Sequence, residues 1–420
     1  MYATSQYREA DVVTLASRGA SAPLPSMPTT ARTTYERLGP ARERLAQRDA
    51  ELLALQIAIA GVPAPTGDER ARAAFVAARL AESLPNVEID AAGNVVARLR
   101  GSRTGARPVV ICAHLDTVFP HGTDLSVKRD GTRISAPGIG DNARGLTALV
   151  ALAEELAASD LRPAHPILFA ATTGEEGIGD LRGARHLFGA LGDDIQAVVA
   201  LDGPGDTRIV TEALGVRRLR ARIHGPGGHS WGAFGVVNPV HIASAITVEL
   251  AGLKLPQEPR ITVSVNRIGG GSSINAIPEE AWLEVEVRSV RAAELERWEM
   301  AVDARMRHAV ERANAARTAG TPPLTLTSER IGERPAGAID PHHPLVAAAR
   351  EATLAIGRTP ELAAASTDAN IPMNRGVPAI AIGAGGRGGD THTLREWYDH
   401  TDSALGLWRA LTIVAAAATG

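Results

Sequence analysis

Cysteine is almost missing from this chain of 420 residues: Cys112 is the only one. A disulfide framework is thereby excluded, and so are zinc knuckles built on paired thiolates; any bound metal must be held by His, Asp and Glu. Strong charge of either sign is lacking too. A formal net charge of -3 makes no field that would recruit nucleic acid or an anionic membrane surface, which leaves small polar or zwitterionic molecules as the expected partners. No apolar run approaches the roughly 20 residues that span a bilayer, and the N-terminus lacks the basic-then-apolar layout of a secretory signal. A cytoplasmic protein without a membrane partner is expected. Aromatic residues, 3% of the chain against 42 glycines, carry no functional signal.

What is present is an ordered α/β pattern, in a chain long enough for two domains or for one α/β core carrying an insertion. Residues 1–34, rich in Ala, Ser, Thr, Pro and Arg, read as a poorly ordered tail. Apolar residues at helical spacing (Leu38, Leu45, Leu52, Leu55, Ile57) predict a helix over 35–60, and a second is predicted over 67–84. The run Val109-Val110-Ile111-Cys112-Ala113 reads as a strand buried on both faces, and it ends on His114-Leu115-Asp116. Gly138-Ile139-Gly140-Asp141-Asn142 forms a loop that opens a helix over 145–158. A strand over 166–171 ends at Thr172-Thr173-Gly174-Glu175-Glu176, and another over 197–201 ends at Asp202. Successive strand ends therefore carry imidazole or acidic groups. Open α/β sheets bind ligands at the carboxyl ends of their strands, so a shared pocket is expected.

From residue 214 the pattern changes to alternation, with Val216, Leu219, Ala221 and Ile223 on one face. Strands over 261–268, 281–290 and 324–331 and helices over 239–253 and 292–316 complete a β-α-β-β-α-β order, the signature of a ferredoxin-like sandwich. After Pro341 the α/β pattern resumes, with a helix over 344–356, a strand over 379–382, a glycine-rich loop and a C-terminal helix. The predicted organisation is an α/β domain of residues 35–213 plus 333–420, interrupted by an inserted α+β domain at 214–332.

The chemistry-bearing residues each admit two readings. His114 and Asp116 leave the same side of a strand end, where a metal-bound imidazole could donate its other N–H to the carboxylate; an HxD pair also suits an ordinary surface. Asp141, before a helix, reads equally as an N-cap or as a short carboxylate bridging two cations. Glu175 and Glu176 repel each other unless a cation or proton intervenes. One can then bind a metal while its neighbour takes a proton from water; the alternative is a solvated pair at a helix start. Asp202 precedes Gly203-Pro204-Gly205, and His392 lies on a loop, Gly385-Gly386-Arg387-Gly388-Gly389-Asp390-Thr391-His392, whose glycines let backbone approach a ligand closely.

Taken in order, these segments resemble the di-zinc metallopeptidase and amidohydrolase family of peptidase T, glutamate carboxypeptidase, aminoacylase and acetylornithine deacetylase/succinyl-diaminopimelate desuccinylase. The resemblance spans residues 45–415. Ala113-His114-Leu115-Asp116-Thr117-Val118 matches the first metal motif, Gly140-Asp141-Asn142-Ala143-Arg144-Gly145 the bridging-Asp motif, and Thr173-Gly174-Glu175-Glu176 the base-plus-ligand pair; Asp202 and Thr391-His392-Thr393 match the last two. The family commonly has a basic residue two after the bridging Asp, whereas here Ala143 intervenes and Arg144 comes third.

The resemblance implies a mixed-sheet catalytic domain with a ferredoxin-like lid and dimerisation domain. It implies two Zn2+, with cobalt or manganese also suited to the donors: His114 and Asp202 on one, Glu176 and His392 on the other, and Asp141 bridging, roughly 3.5–4 Å apart. Asp116 would orient His114, and Glu175 would be the general base. In the inserted domain, His229 in Gly228-His229-Ser230 resembles the lid histidine that reaches a dimer partner's site, and Asn275 and Arg288 resemble the binders of a substrate carboxylate. The expected activity is exopeptidase cleavage of short peptides, of aminopeptidase, tripeptidase or carboxypeptidase type, by a homodimer. The nearest alternative is an N-acyl-amino-acid deacylase, which differs in pocket shape alone. A non-catalytic binding protein would have lost a ligand or the base, and none is missing.

Overall fold

The structure is a computed structural model that describes residues 37–419; the tail expected at 1–34 lies outside the described residues. α1 (Gly39–Gln47) and α2 (Asp49–Ala60) divide at Arg48 what apolar spacing predicts as one helix. The Arg48 guanidinium bonds Glu51 and reaches across to Glu154 and Glu155. A break of one residue leaves the apolar repeat in step, so periodicity does not report it.

α3 (Arg70–Ala81) leads to β1 (Glu88–Ile89), β2 (Val95–Leu99) and β3 (Val109–His114). A short hairpin of β4 (Lys128–Asp130) and β5 (Arg133–Ser135) precedes α4 (Ala143–Ala158), and β6 (Ile167–Thr172), α5 (Arg182–Leu191), β7 (Ala197–Leu201) and β8 (Arg208–Ala213) follow. Every residue of β3, β6 and β7 is buried. Their apolar runs do not alternate because helices cover both faces of the sheet.

The chain then builds a second sheet. β9 (Gly215–His224), a short pair of β10 (Gly228–His229) with β12 (Ala276–Ile277), β11 (Ile261–Gly270), β13 (Glu280–Ser289) and β14 (Thr325–Arg334) are interleaved with α6 (Pro239–Ala251) and α7 (Ala292–Ala315). The four long strands pair antiparallel in the order β11-β13-β9-β14. Leu219, Ala221, Ile223, Leu283, Val285 and Val287 share a buried cluster with Ile246, Leu250, Val302 and Met306 of the two helices. The other face carries the ion pairs Arg218–Glu286, Arg220–Glu284 and Arg222–Glu280.

The chain returns to the first sheet through β15 (Gly337–Ala338), α8 (Pro344–Ala355), β16 (Glu361–Ala365), α9 (Asn370–Asn374), β17 (Ala379–Ile382), β18 (Arg387–Gly389), β19 (Trp397–Asp399) and α10 (Ser403–Thr419). That sheet has nine strands in the order β1-β2-β6-β3-β7-β17-β8-β15, with β16 on β8. β6, β3, β7 and β17 run parallel, while β2 and β8 run against them. The sheet is thus mixed, as expected, and its four central strands end on one side. A small sheet of β18, β19, β5 and β4 ties the late glycine-rich loop to the early hairpin. No helix among the described residues is long and apolar enough to cross a membrane.

Candidate metal centre

Asp141 stands at the middle of the site. Its Oδ1 lies 3.0 Å from His114 Nε2, and its Oδ2 lies 3.2 Å from His392 Nε2. His392 Nε2 is also 2.8 Å from Glu176 Oε1. Two donor clusters result, His114–Asp141–Asp202 and Asp141–Glu176–His392, each with its ligand atoms within 4.8 Å of one another. A third grouping joins His114, Glu175 and Glu176. Residues spread from position 114 to position 392 therefore converge at the ends of β3, β6 and β7.

Local devices deliver them. Gly174 turns the chain out of β6 at φ +62, and a Cβ there would strike the Arg182 side chain, so glycine is required just before Glu175 and Glu176. The N-cap of α4 is Asn142, whose side chain accepts the Gly145 N–H at 3.1 Å. Asp141 is left free of capping, which corrects the N-cap alternative. His392 adopts a left-handed backbone, φ 65, at a cost of about 1 kcal/mol for a residue with a Cβ.

Charge in the pocket is unbalanced in the protein alone. Burial, with Asp141 nearby, pushes Asp202 up to about 6. Burial likewise raises Glu175 well above the usual carboxylate range, against the pull of Arg334 and His114. The carboxylates of Asp141 and Glu176 raise His392 to about 10. His114 is raised as well: burial opposes this, but Asp116 and Asp141 outweigh it. Crowded carboxylates and imidazoles are thus held together by protons that divalent cations would replace. Oxygen and imidazole donors without thiolate, one carboxylate presenting an oxygen to each cluster, fit a pair of such ions.

The sequence profile of peptidase family M20/M25/M40 matches residues 110–415. The chain belongs to this family. Among solved structures it resembles aminopeptidase PepT from Bacillus cereus ATCC 10987, at 22% identity over 90% of this chain and 99% of that one, TM-score 0.68. A tripeptidase from Staphylococcus aureus subsp. aureus Mu50 is 21% identical over 89% of this chain and 99% of that one, TM-score 0.71. The YXEP protein of Bacillus subtilis, described as a dinuclear metal binding peptidase from the M20 family, is 18% identical over 88% and 98%, TM-score 0.61. No curated protein matches the chain.

Around the candidate donors, this M20 chain has supports that the sequence places only in part. Asp116 was expected to orient His114 through its carboxylate. The 3.0 Å contact to His114 Nδ1 is instead made by the Asp116 carbonyl oxygen, with the carboxylate at 3.6 Å. The carboxylate accepts the backbone N–H groups of Glu175 and Glu176, 2.9 Å each, and the Thr66 hydroxyl at 2.8 Å. Burial works against its ionisation, but His114 and those N–H donors hold it down to about 2. Arg144 is buried and donates to the Ala384 and Ser403 carbonyls, so the basic residue of the bridging motif braces a loop.

Two supports went unpredicted. Glu396 accepts the N–H groups of Gly138, Gly140 and Asp141 at 3.0, 2.8 and 2.8 Å, cradling the loop that presents Asp141. Arg334 donates to Glu175 Oε1 at 2.8 Å. No spacing rule joins residue 396 to 141 or 334 to 175. In the segment 366–370, Asp368 is buried and accepts the Thr172 hydroxyl, while Ser366 accepts from Arg334.

His229 of β10 and Asn275, which immediately precedes β12, come together and line a cavity of about 600 Å³. His229 Nδ1 accepts the N–H groups of Trp231 and Gly232 at 3.2 and 3.3 Å, so in the neutral ring Nε2 carries the proton. Arg288 lies apart from that cavity, on β13, with Nε bonded to Glu286 at 2.6 Å. Among the described residues, none of the three bonds a side chain of the metal centre.

Proposed function

We propose that this chain is a two-zinc exopeptidase that removes a terminal residue from short peptides. The carrying observation is Asp141, with one oxygen toward His114 and the other toward His392, beside the buried acid Glu175. His114 and Asp202 would hold one ion, Glu176 and His392 the other, and Asp141 both. Two cations held there would supply polarisation of the scissile carbonyl and a more acidic water molecule. Glu175 takes the proton from that water and returns it to the leaving amine. Asp116 keeps Glu175 and Glu176 in register through their backbone N–H groups.

Residues 214–332 act as a lid and dimerisation domain. His229 and Asn275 complete the site of a second copy, His229 as an Nε2–H donor to the developing oxyanion. Their tip also exposes Trp231, Phe234 and Ile274 at 88%, 90% and 102%, an apolar surface suited to burial against that copy. Arg288 offers its guanidinium to a substrate carboxylate.

Hydrolysis of di- and tripeptides and of N-acetyl and N-succinyl amino acids by zinc-reconstituted protein tests the reading. Release of a terminal residue from peptides is expected. Turnover of N-acyl amino acids alone would replace it with a deacylase, and none at all with both metals bound would leave a binding protein. In Glu175→Gln, kcat should fall by about 1000-fold with metal content intact; full activity would sink the mechanism.

A further inference from the structure

We propose that Arg334 is a positioning residue for Glu175, fixing one oxygen of that carboxylate so that the other is left to receive a proton. This rests on the reading of Glu175 as the general base.

Arg334 is the last residue of β14, where the chain leaves the second sheet. Its side chain and that of Glu175 are each only 6% exposed. Nη1 donates to Glu175 Oε1 at 2.8 Å and to Ser366 Oγ at 3.2 Å, and Nη2 donates to the Glu175 carbonyl oxygen. One planar guanidinium therefore grips Glu175 at two points, carboxylate and main chain, which restrains its side-chain rotation as well as its location. Oε2 takes no hydrogen bond from any described residue. The carboxylate lies within 4.8 Å of the donor atoms of His114 and Glu176. With Oε1 engaged by Arg334, Oε2 is the oxygen left without a hydrogen bond, and a general base works only within hydrogen-bond reach of the proton it takes.

Arg334 is itself held. It pairs with Val216 across β9, and the chain just after it is pinned by Asn370 Nδ2 on the Pro335 carbonyl and Asn374 Nδ2 on the Ala336 carbonyl. A residue carried on the second sheet thus sets the base of the first. Direct binding of a substrate carboxylate is the competing role, and it conflicts with the burial of Arg334 and the engagement of both Nη groups.

The test compares Arg334→Ala and Arg334→Lys in the zinc-loaded full chain, with metal content and Tm measured alongside. In Arg334→Ala, kcat should fall about 100-fold with KM and metal content little changed. Arg334→Lys should recover only part of it, since a single ammonium cannot hold both oxygens. Millimolar guanidinium should raise kcat of Arg334→Ala and leave Glu175→Gln unaffected. A raised KM with kcat kept would make Arg334 a substrate binder and overturn the proposal. So would unchanged kinetics, or losses of Tm and metal that match the loss of activity in both variants. If Glu175→Gln stays fully active, the base reading itself fails; if it is inactive while Arg334→Ala is fully active, this inference alone fails.

Discussion

The two sheets of this chain bury their apolar residues in different ways. In β3, β6 and β7 every position is buried, whereas β13 alternates strictly between buried and half-buried residues. A sheet covered on both faces has no room for charge along its strands, so polar chemistry is displaced to their ends, and His114, Glu175, Glu176 and Asp202 all lie there. A sheet covered on one face has a second face to fill. Here that face holds a network of Arg–Glu pairs, and the residues resembling substrate binders are distributed over it and its tip.

The contrast can be broken most severely at the first sheet. Asp141→Asn should replace one of the two oxygens that the Asp141 carboxylate presents, one to each donor cluster, and abolish turnover, with metal analysis showing fewer than two ions per chain; retained metals and activity would dissolve the two-cluster description. Next in size is Glu396→Gln. An amide offers one acceptor oxygen where three backbone N–H groups now converge, so metal affinity by titration should weaken by about 10- to 100-fold.

The second sheet should respond differently. Leu283→Ala, in its buried cluster, should cost about 3 kcal/mol in denaturant unfolding while metal content stays at the wild-type level. Equal loss of metal would show that the sheets unfold together. The smallest effect is expected at Glu286→Gln, below about 1 kcal/mol, because its partners Arg218 and Arg288 are part-exposed. Burial tends to raise the Glu286 pKa, but those two arginines lower it overall. Its stabilisation is therefore present above the ordinary glutamate value of about 4.3 and is lost as pH falls through the depressed folded value. The Tm gap between wild type and variant should be widest near neutrality and close in acid.

Much of this was legible in the chain. The run from Val109 to Ala113 announces a doubly covered strand because branched apolar residues without alternation suit no exposed face. Alternation in residues 216–223 announces the second sheet for the opposite reason. Other features escaped. The helix break at Arg48 preserves apolar spacing, and Asn142 caps α4 where the N-cap reading fell on Asp141. β16 and the small sheet of β4, β5, β18 and β19 consist of short segments with weak periodicity. Glu396 and Arg334 act on backbone and side chains 255 and 159 positions away.

The sequence by itself determined the order of the long strands and helices, the class of both sheets and the acids and imidazoles that lie at strand ends, because burial pattern and residue chemistry are local properties. Only the tertiary structure decided how those groups share their oxygens: that Asp141 faces His114 and His392 at once, that the Asp116 carboxylate serves the backbone of Glu175 and Glu176, and that Arg334 holds Glu175. Each of these depends on ångström-scale approach between distant segments, and no one-dimensional pattern records it.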